Sequence, residues 1–169
     1  MSGSIRILGI DPGSRVTGFG LIEIDGQLTR PVEWGGIRTS GEHFDRLRII
    51  FDRLGELVER FRPDEIAIER VFVNRNVDSA LKLGQARAAA LCATFRTDVP
   101  IYEYAAREIK KALAGTGGAD KDQVQQMVRL ILGIGGDVEA DAADALAAAV
   151  CHAQVRVTHG LIARAAGQR

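Results

Sequence analysis

The 169 residues, 46% of them hydrophobic, suffice for one globular domain with a buried core, and we treat residues 1–169 as a single domain. No apolar run approaches the roughly 20 residues of a membrane-spanning helix, and the first residues lack the basic and apolar regions of a signal peptide, so we expect a cytoplasmic location. The chain is formally neutral at pH 7, yet residues 70–121 carry nine basic and five acidic side chains between acidic flanks. This distribution is compatible with a protein that binds phosphates and also concentrates carboxylates.

The first predicted strand, over residues 5–11, is a short run of β-branched residues that ends on Asp11. Pro12 and Gly13 follow at once and suit the second and third positions of a tight turn, after which a second strand is predicted over 16–24. A charge at the end of a buried strand is unfavourable unless a cation or a hydrogen-bond network receives it. Asp11 is therefore a candidate functional residue, with simple capping of the turn as the alternative.

The remaining elements follow from hydrophobic periodicity and from capping residues. Apolar residues at steps of three and four predict amphipathic helices, and short alternating runs predict strands. Asn76 or Asp78 can cap one helix, and Asp120 with Gln123 forms a capping box for another. In chain order we predict a third strand over 27–39 that closes a meander, a helix over 43–61, a strand over 65–72, a helix over 78–95, a strand over 99–104, a helix over 105–114, a helix over 120–133, and a last helix over 138–155 with a flexible tail over 156–169.

The helix predicted over 78–95 is rich in alanine and contains Gly84, which predicts that something packs very close to it. Cys92 lies in the same helix, and Cys151 lies in the last one. Because both sit inside apolar helical patterns, we interpret them as small buried residues and not as a disulfide or a metal site.

Three further acids join Asp11 as candidates. Glu69 ends a second interior strand, while Asp141 and Asp144 lie three residues apart on one face of the last helix, among alanines that allow another backbone to approach. Acids in a first helical turn also complement the helix dipole, which is the alternative for this pair. If the four carboxylates converge, hard divalent cations such as Mg²⁺ would relieve their repulsion, and two such ions could promote displacement at a phosphodiester.

Four segments of the chain carry a family resemblance that runs in order from about residue 7 to about residue 155. The segments are GIDPGSRVTG (9–18), AIERVF (67–72), NVDSALKLGQAR (76–87) and ADAADALA (140–147). In these segments the chain resembles the RuvC family of bacterial Holliday junction resolvases. The resemblance implies an α/β, RNase H-like fold, in which a five-stranded mixed sheet is flanked by helices on both faces and the first three strands form an antiparallel meander.

The resemblance also implies an activity. The implied activity is that of a structure-selective endodeoxyribonuclease, which resolves four-way DNA junctions during recombination and repair. Such an enzyme makes paired nicks in strands of like polarity and leaves 5′-phosphate and 3′-hydroxyl ends. The implied cofactor is Mg²⁺, two ions per subunit, with Mn²⁺ as a substitute. The implied partners are a second copy of the chain, in a homodimer formed through the helix over 78–95, and the RuvA–RuvB branch-migration complex. Packing of that helix on its own sheet is the alternative for its other face.

The resemblance assigns roles to individual positions. Phe72 matches an aromatic residue that stacks on bases at the junction, with ordinary core packing as the alternative. Lys121 also suits stabilisation of charge in the transition state. The metal-ligand and catalytic positions are Asp11, Glu69, Asp141 and Asp144, with Lys121 as a further catalytic residue. The DNA-binding positions are Phe72, Arg75, Lys110 and Lys121.

Other functions stay open from the residues alone. An RNase H-type nuclease acting on RNA–DNA hybrids shares the acid chemistry, and a non-catalytic junction-binding scaffold would keep the basic segment. An actin-like sugar kinase needs two lobes, for which the chain is too short, and a Walker-type phosphate loop fails on spacing because neither Ser nor Thr follows Lys121. We interpret His43, His152 and His159 as structural residues.

Overall fold

The computed structural model describes residues 3–70 and 76–166, with side chains of the last helix described as far as Thr158. This part of the chain forms five strands and five helices. The elements are β1 (Ile5–Asp11), β2 (Val16–Asp25), β3 (Leu28–Arg38), α1 (His43–Phe61), β4 (Glu65–Arg70), α2 (Val77–Thr94), β5 (Ile101–Ala105), α3 (Ala106–Ala114), α4 (Lys121–Leu132) and α5 (Ala140–Ala166).

The strands form one mixed sheet in the order β3-β2-β1-β4-β5. The first three make an antiparallel meander, and β4 and β5 add to it in parallel with β1. The predicted fold class is therefore confirmed. Since β1, β4 and β5 run the same way, their carboxyl ends lie along one edge of the sheet, where ligands of open α/β sheets usually bind.

Helices cover both faces of the sheet. One core cluster joins alternate residues of the central strands, including Leu8 and Ile66, to the buried faces of α1 and α2. The other joins Ile7 and Ala67 to α3, α4 and α5. Because side chains alternate across a strand, this division also sends Asp11 and Glu69 toward α5.

Most predicted elements are observed within a few residues of their expected ends. Asn76 caps α2, since its side chain accepts a hydrogen bond from the Ser79 amide at 3.2 Å, and the capping box of Asp120 and Gln123 is present at the start of α4. The prediction that the last helix ends near residue 155 is wrong, because α5 continues to Ala166. No proline interrupts residues 156–166, so the helical hydrogen-bond pattern can continue.

One prediction about α2 is also wrong, because Cys92 is exposed, whereas Cys151 is buried as expected. Among the described residues, nothing lies within 4 Å of a Cβ placed on Gly84, so the close packing predicted there is not made within this part of the chain. The cause is that α2 buries only a narrow stripe of alanines and leaves a second apolar stripe facing outward.

Within the described residues, no helix combines the length and apolar character needed to cross a membrane.

Candidate active site

Two carboxylates are brought together by the pairing of β1 with β4. The last paired residues of these parallel strands are Ile10 and Ile68. Asp11 and Glu69 come next on their strands, and neighbouring strands lie roughly 5 Å apart. Both side chains thus stand at the same edge of the sheet and on the same face.

Glycines on β1 and β2 allow α5 to lie directly on that face. A Cβ on Gly18 would lie 1.9 Å from the carbonyl oxygen of Asp141, and a Cβ on Gly9 would lie 1.9 Å from that of Ala145. Gly18 pairs with Asp11 across the β1–β2 ladder. The helix backbone therefore touches the sheet beside Asp11, which brings Asp141 to the end of β1.

The turn after β1 is held by a buried hydroxyl. The Thr17 side chain is fully buried, donates to the Gly13 carbonyl at 2.9 Å and accepts from the Gly13 amide at 3.3 Å. On the far side of the turn, the Thr39 hydroxyl donates to the Ser14 carbonyl at 2.9 Å. These bonds fix the backbone that carries Asp11 into the site.

We call Asp11, Glu69, Asp141 and Asp144 the acidic cluster. Burial raises the pKa of Asp11 to about 7, with further contributions from the negative charges of Glu69, Asp144 and Asp141 in that order. Burial also raises the pKa of Glu69, and Asp144 adds to the effect. The carboxylates are therefore close enough to repel one another in a poorly hydrated place.

Two lysines face the acidic cluster. Lys121, at the start of α4, donates from Nζ to Asp144 Oδ2 at 2.8 Å, and this hydrogen bond raises the lysine pKa. The positive charges of Lys121 and, to a smaller extent, of Lys110 on α3 partly oppose the rise in the pKa of Glu69. Both lysines line a cleft of about 180 Å³ together with Glu69 and Asp144. Two of the predicted acids and these two lysines thus share one cleft, and Asp11 and Asp141 are close enough to the two acids to act on their charge, while Lys111 is exposed.

The structure describes all but two of the predicted site residues. Phe72 and Arg75 follow β4 and lie outside the described residues. Among residues 3–70 and 76–166, no three His, Cys, Asp or Glu side chains are grouped closely enough to hold a metal ion as they stand. The acidic cluster is therefore a set of neighbouring charges, and its role as a metal site remains a prediction.

Several residues that shape the site escaped the sequence analysis. Gly18 and Gly20 recur at a spacing of two on β2, which places both on one face of the strand. Glycines in that pattern signal close approach of another backbone, and α5 makes that approach. For Thr17 the only signal in the sequence is its position as a polar residue within an otherwise apolar strand.

The comparisons with known proteins agree with this arrangement. Residues 7–152 match the family model described as crossover junction endodeoxyribonuclease RuvC. The chain is 54% identical to the RuvC of Xanthomonas axonopodis pv. citri over 90% of each chain, and 52% identical to that of Methylococcus capsulatus over 94% of this chain and 96% of the relative. Its structure is similar to that of Thermus thermophilus RuvC in complex with a Holliday junction substrate, with a TM-score of 0.83, 38% identity, and coverage of 88% of this chain and 93% of that one.

Proposed function

Because the chain belongs to the RuvC family of crossover junction endodeoxyribonucleases, we propose that it cuts four-way DNA junctions at the acidic cluster. The observation that carries the proposal is the convergence of four carboxylates at the edge of the sheet, where Glu69 and Asp144 line a cleft together with two lysines. Carboxylates supply oxygen ligands for cations, and lysines supply positive charge for a phosphodiester.

The acidic cluster fits hard divalent cations. Its donors are all carboxylate oxygens, the ligands that Mg²⁺ prefers, and their mutual repulsion would be relieved by positive charge. We expect Asp11, Glu69 and Asp141 to hold two Mg²⁺ ions, or Mn²⁺ in their place, with Asp144 beside them. When bound, such cations neutralise charge on the phosphodiester and make water nucleophilic at neutral pH.

The lysines act on the substrate. Lys121 is protonated at neutral pH, as lysine ordinarily is, and its bond to Asp144 raises the lysine pKa further. Its side chain is 56% exposed, so it can turn from Asp144 toward a phosphate oxygen that enters the cleft. There it would stabilise the negative charge that develops during the displacement, and Lys110 would hold the adjacent phosphate.

The products and partners of this reaction follow from the same family. We propose paired nicks in strands of like polarity, which leave 5′-phosphate and 3′-hydroxyl ends that a ligase can seal. We also propose that the enzyme works with the RuvA–RuvB branch-migration complex in recombination and repair. Both proposals rest on family membership, and Phe72 and Arg75 remain candidates for contacts with the DNA.

A nicking assay tests the main proposal. The protein is incubated with Mg²⁺ and a synthetic four-way junction, a matched duplex or an RNA–DNA hybrid. Symmetric nicks in the junction alone, sealable by ligase, are the expected result. Cutting of the hybrid would instead indicate an RNase H-type nuclease, and tight junction binding with no cut under several divalent ions would indicate a scaffold.

An outward apolar stripe on α2 supports the homodimer. Val77, Leu81 and Phe95 are 69%, 63% and 65% exposed, and Gly84 and Ala88 between them are exposed as well. With Cys92, which is also exposed, these positions recur at steps of three and four, so they share one face of the helix. The opposite face of α2 already packs against the chain's own core. A second subunit would cover the stripe. The resulting dimer would have two active sites related by a twofold axis, one for each of the two strands that are cut.

Substitution of Leu81 tests this interface. We expect Leu81→Glu to convert a dimer into a monomer, because the new charge would be buried against a partner. Light scattering coupled to size-exclusion chromatography measures the mass, and Gln126→Glu, an exposed change on α4, is the control. The free energy of unfolding of the monomer should change by less than about 0.5 kcal/mol, since Leu81 is exposed within the chain. A wild-type monomer, or a dimeric Leu81→Glu variant, would contradict the proposal.

A further inference from the structure

A second polar network lies between α5 and the sheet, away from the acidic cluster. The His152 side chain is 2% exposed, and its Nδ1 lies 2.7 Å from the Tyr104 hydroxyl. Its Nε2 lies 2.7 Å from Glu65 Oε2, and Arg156 Nε donates to Glu65 Oε1 at 2.9 Å. The Tyr102 ring stacks on the imidazole with a centroid distance of 4.2 Å. A buried histidine is thus bonded through both of its nitrogens.

The direction of each hydrogen bond follows from the acceptors. A carboxylate only accepts, so Nε2 must carry the proton that His152 donates to Glu65. Burial lowers the pKa of His152, so the ring is neutral at pH 7 and Nδ1 is an acceptor. The Tyr104 hydroxyl, whose pKa burial raises to about 12, keeps its proton and donates it to Nδ1. Every ring nitrogen is therefore satisfied in one defined arrangement.

The spacing of this network matches that of the active-site acids. On α5, His152 lies eight residues after Asp144, or about 12 Å along a helix. On β4, Glu65 lies four residues before Glu69, or about 13 Å along a strand. The helix runs antiparallel to the strand. A bond between His152 and Glu65 therefore holds Asp144 alongside Glu69 at the other end.

Apart from the Arg156 bond to the same Glu65 carboxylate, the other contacts between α5 and β4 are not directional enough to set this spacing. Asp144 and Glu69 carry like charges and repel one another, as the raised pKa of Glu69 shows. Between the two ends, α5 meets β4 chiefly through small side chains such as Ala67 and Ala148, which interlock little. The Lys121 bond ties Asp144 to α4 and not to the strand. The directional bond of His152 to Glu65, with that of Arg156 to the same carboxylate, therefore ties the helix to β4 at this end.

We propose that His152, with Glu65 and Tyr104, is a positioning residue that sets the register of α5 on β4 and thereby the spacing of Asp144 and Glu69. The inference rests on the proposed metal-dependent function, since it is through metal binding that this spacing matters. His152 itself does not reach the cleft, and its effect passes through the helix.

The test measures metal binding apart from catalysis. Mn²⁺ is titrated into the full chain by calorimetry, and free Mn²⁺ is followed by electron paramagnetic resonance. We expect His152→Phe, which keeps a ring against Tyr102 but removes both hydrogen bonds, to weaken Mn²⁺ binding about tenfold or more. Junction binding in a metal-free buffer should stay within about twofold of wild type. Cleavage by His152→Phe should recover in part at high Mn²⁺.

Two further variants separate positioning from folding. Tyr104→Phe removes a single hydroxyl and should give a smaller loss of Mn²⁺ affinity in a fully folded protein. Val58→Ala, in the core on the opposite face of the sheet, lowers stability without touching α5 and should bind Mn²⁺ as wild type does. Wild-type Mn²⁺ affinity in both His152→Phe and Tyr104→Phe would overturn the inference alone. Failure of the wild-type protein to bind Mn²⁺ would overturn the metal proposal and this inference with it.

Discussion

Replacement of Asp11 by asparagine is expected to abolish cleavage of a four-way junction while junction binding persists. The change removes a partly buried carboxylate of the acidic cluster and replaces it with a neutral side chain of nearly the same shape. If cations bound there lower the barrier by several kcal/mol, cleavage should fall by about 10³-fold or more. A gel-shift assay in metal-free buffer measures binding beside the nicking assay. Loss of binding in step with loss of cleavage would contradict the assignment of a metal site.

The same variant is expected to stabilise the protein in metal-free buffer. The pKa of Asp11 is about 7 in the folded chain against an ordinary value of 3.8, so the folded state retains a proton that the unfolded state has released. Stability is therefore lost as the pH rises from about 4 through about 7, by roughly 2–4 kcal/mol for this group. Glu69, whose pKa is also raised, contributes with the same sign.

Denaturant unfolding at pH 5 and pH 8 in the presence of a chelator measures this effect. Wild type should be less stable at pH 8 than at pH 5, and Asp11→Asn should lose most of that difference. Added Mg²⁺ should stabilise wild type at pH 8 more than it stabilises the variant. Asp98→Asn, an exposed change just before β5, is the control. A variant that keeps the full pH dependence would show that Asp11 is not the group responsible.

Gly18→Ala is expected to disable the enzyme from a position that carries no chemistry. Its Cβ would lie 1.9 Å from the Asp141 carbonyl oxygen and 2.5 Å from the carbonyl carbon, both backbone atoms of α5. The helix must therefore move by about 1 Å, a displacement that costs on the order of 10² in rate at a preorganised site. The free energy of unfolding should fall by about 1–3 kcal/mol, as overpacking does elsewhere.

Gly55→Ala is the matched control for that variant. Gly55 is also buried, but the nearest atom to a Cβ there is the Ala93 carbonyl oxygen at 4.0 Å. Because alanine favours a helix more than glycine does, this change should be neutral or stabilising by up to about 1 kcal/mol. If Gly18→Ala cleaved the junction at the wild-type rate, the close contact of α5 with β2 would not be what sets the geometry of the site.

Much of this architecture could be predicted from local patterns. The β-branched run before Asp11 and the heptad-like spacing of α1 each report a buried face, and the observed strands and helix follow them. Periodicity does not report what covers a face. For that reason the exposure of Cys92 and the open space at Gly84 could not be predicted, since they depend on which stripe of α2 meets the chain's own core.

The acidic cluster illustrates the same limit. The acids could be named because each ends a strand or opens a helix, but their convergence depends on the close approach of α5 to the sheet. That approach is possible because Gly9 and Gly18 remove side chains where the helix backbone lies. It is also supported at a distance by His152, which the sequence analysis treated only as a structural residue.

The seating of α5 on β1 also has a consequence for how the protein is made. The acidic cluster combines Asp11, from the first strand, with Asp141 and Asp144, from the last helix. A ribosome must therefore release almost the whole chain before these acids can meet, and pairing of such distant segments is slow compared with local folding. An unfinished or C-terminally shortened chain can form the meander but not the complete cluster. Synthesis thus yields the complete acidic cluster, which we propose as the nuclease site, only when α5 docks on the sheet.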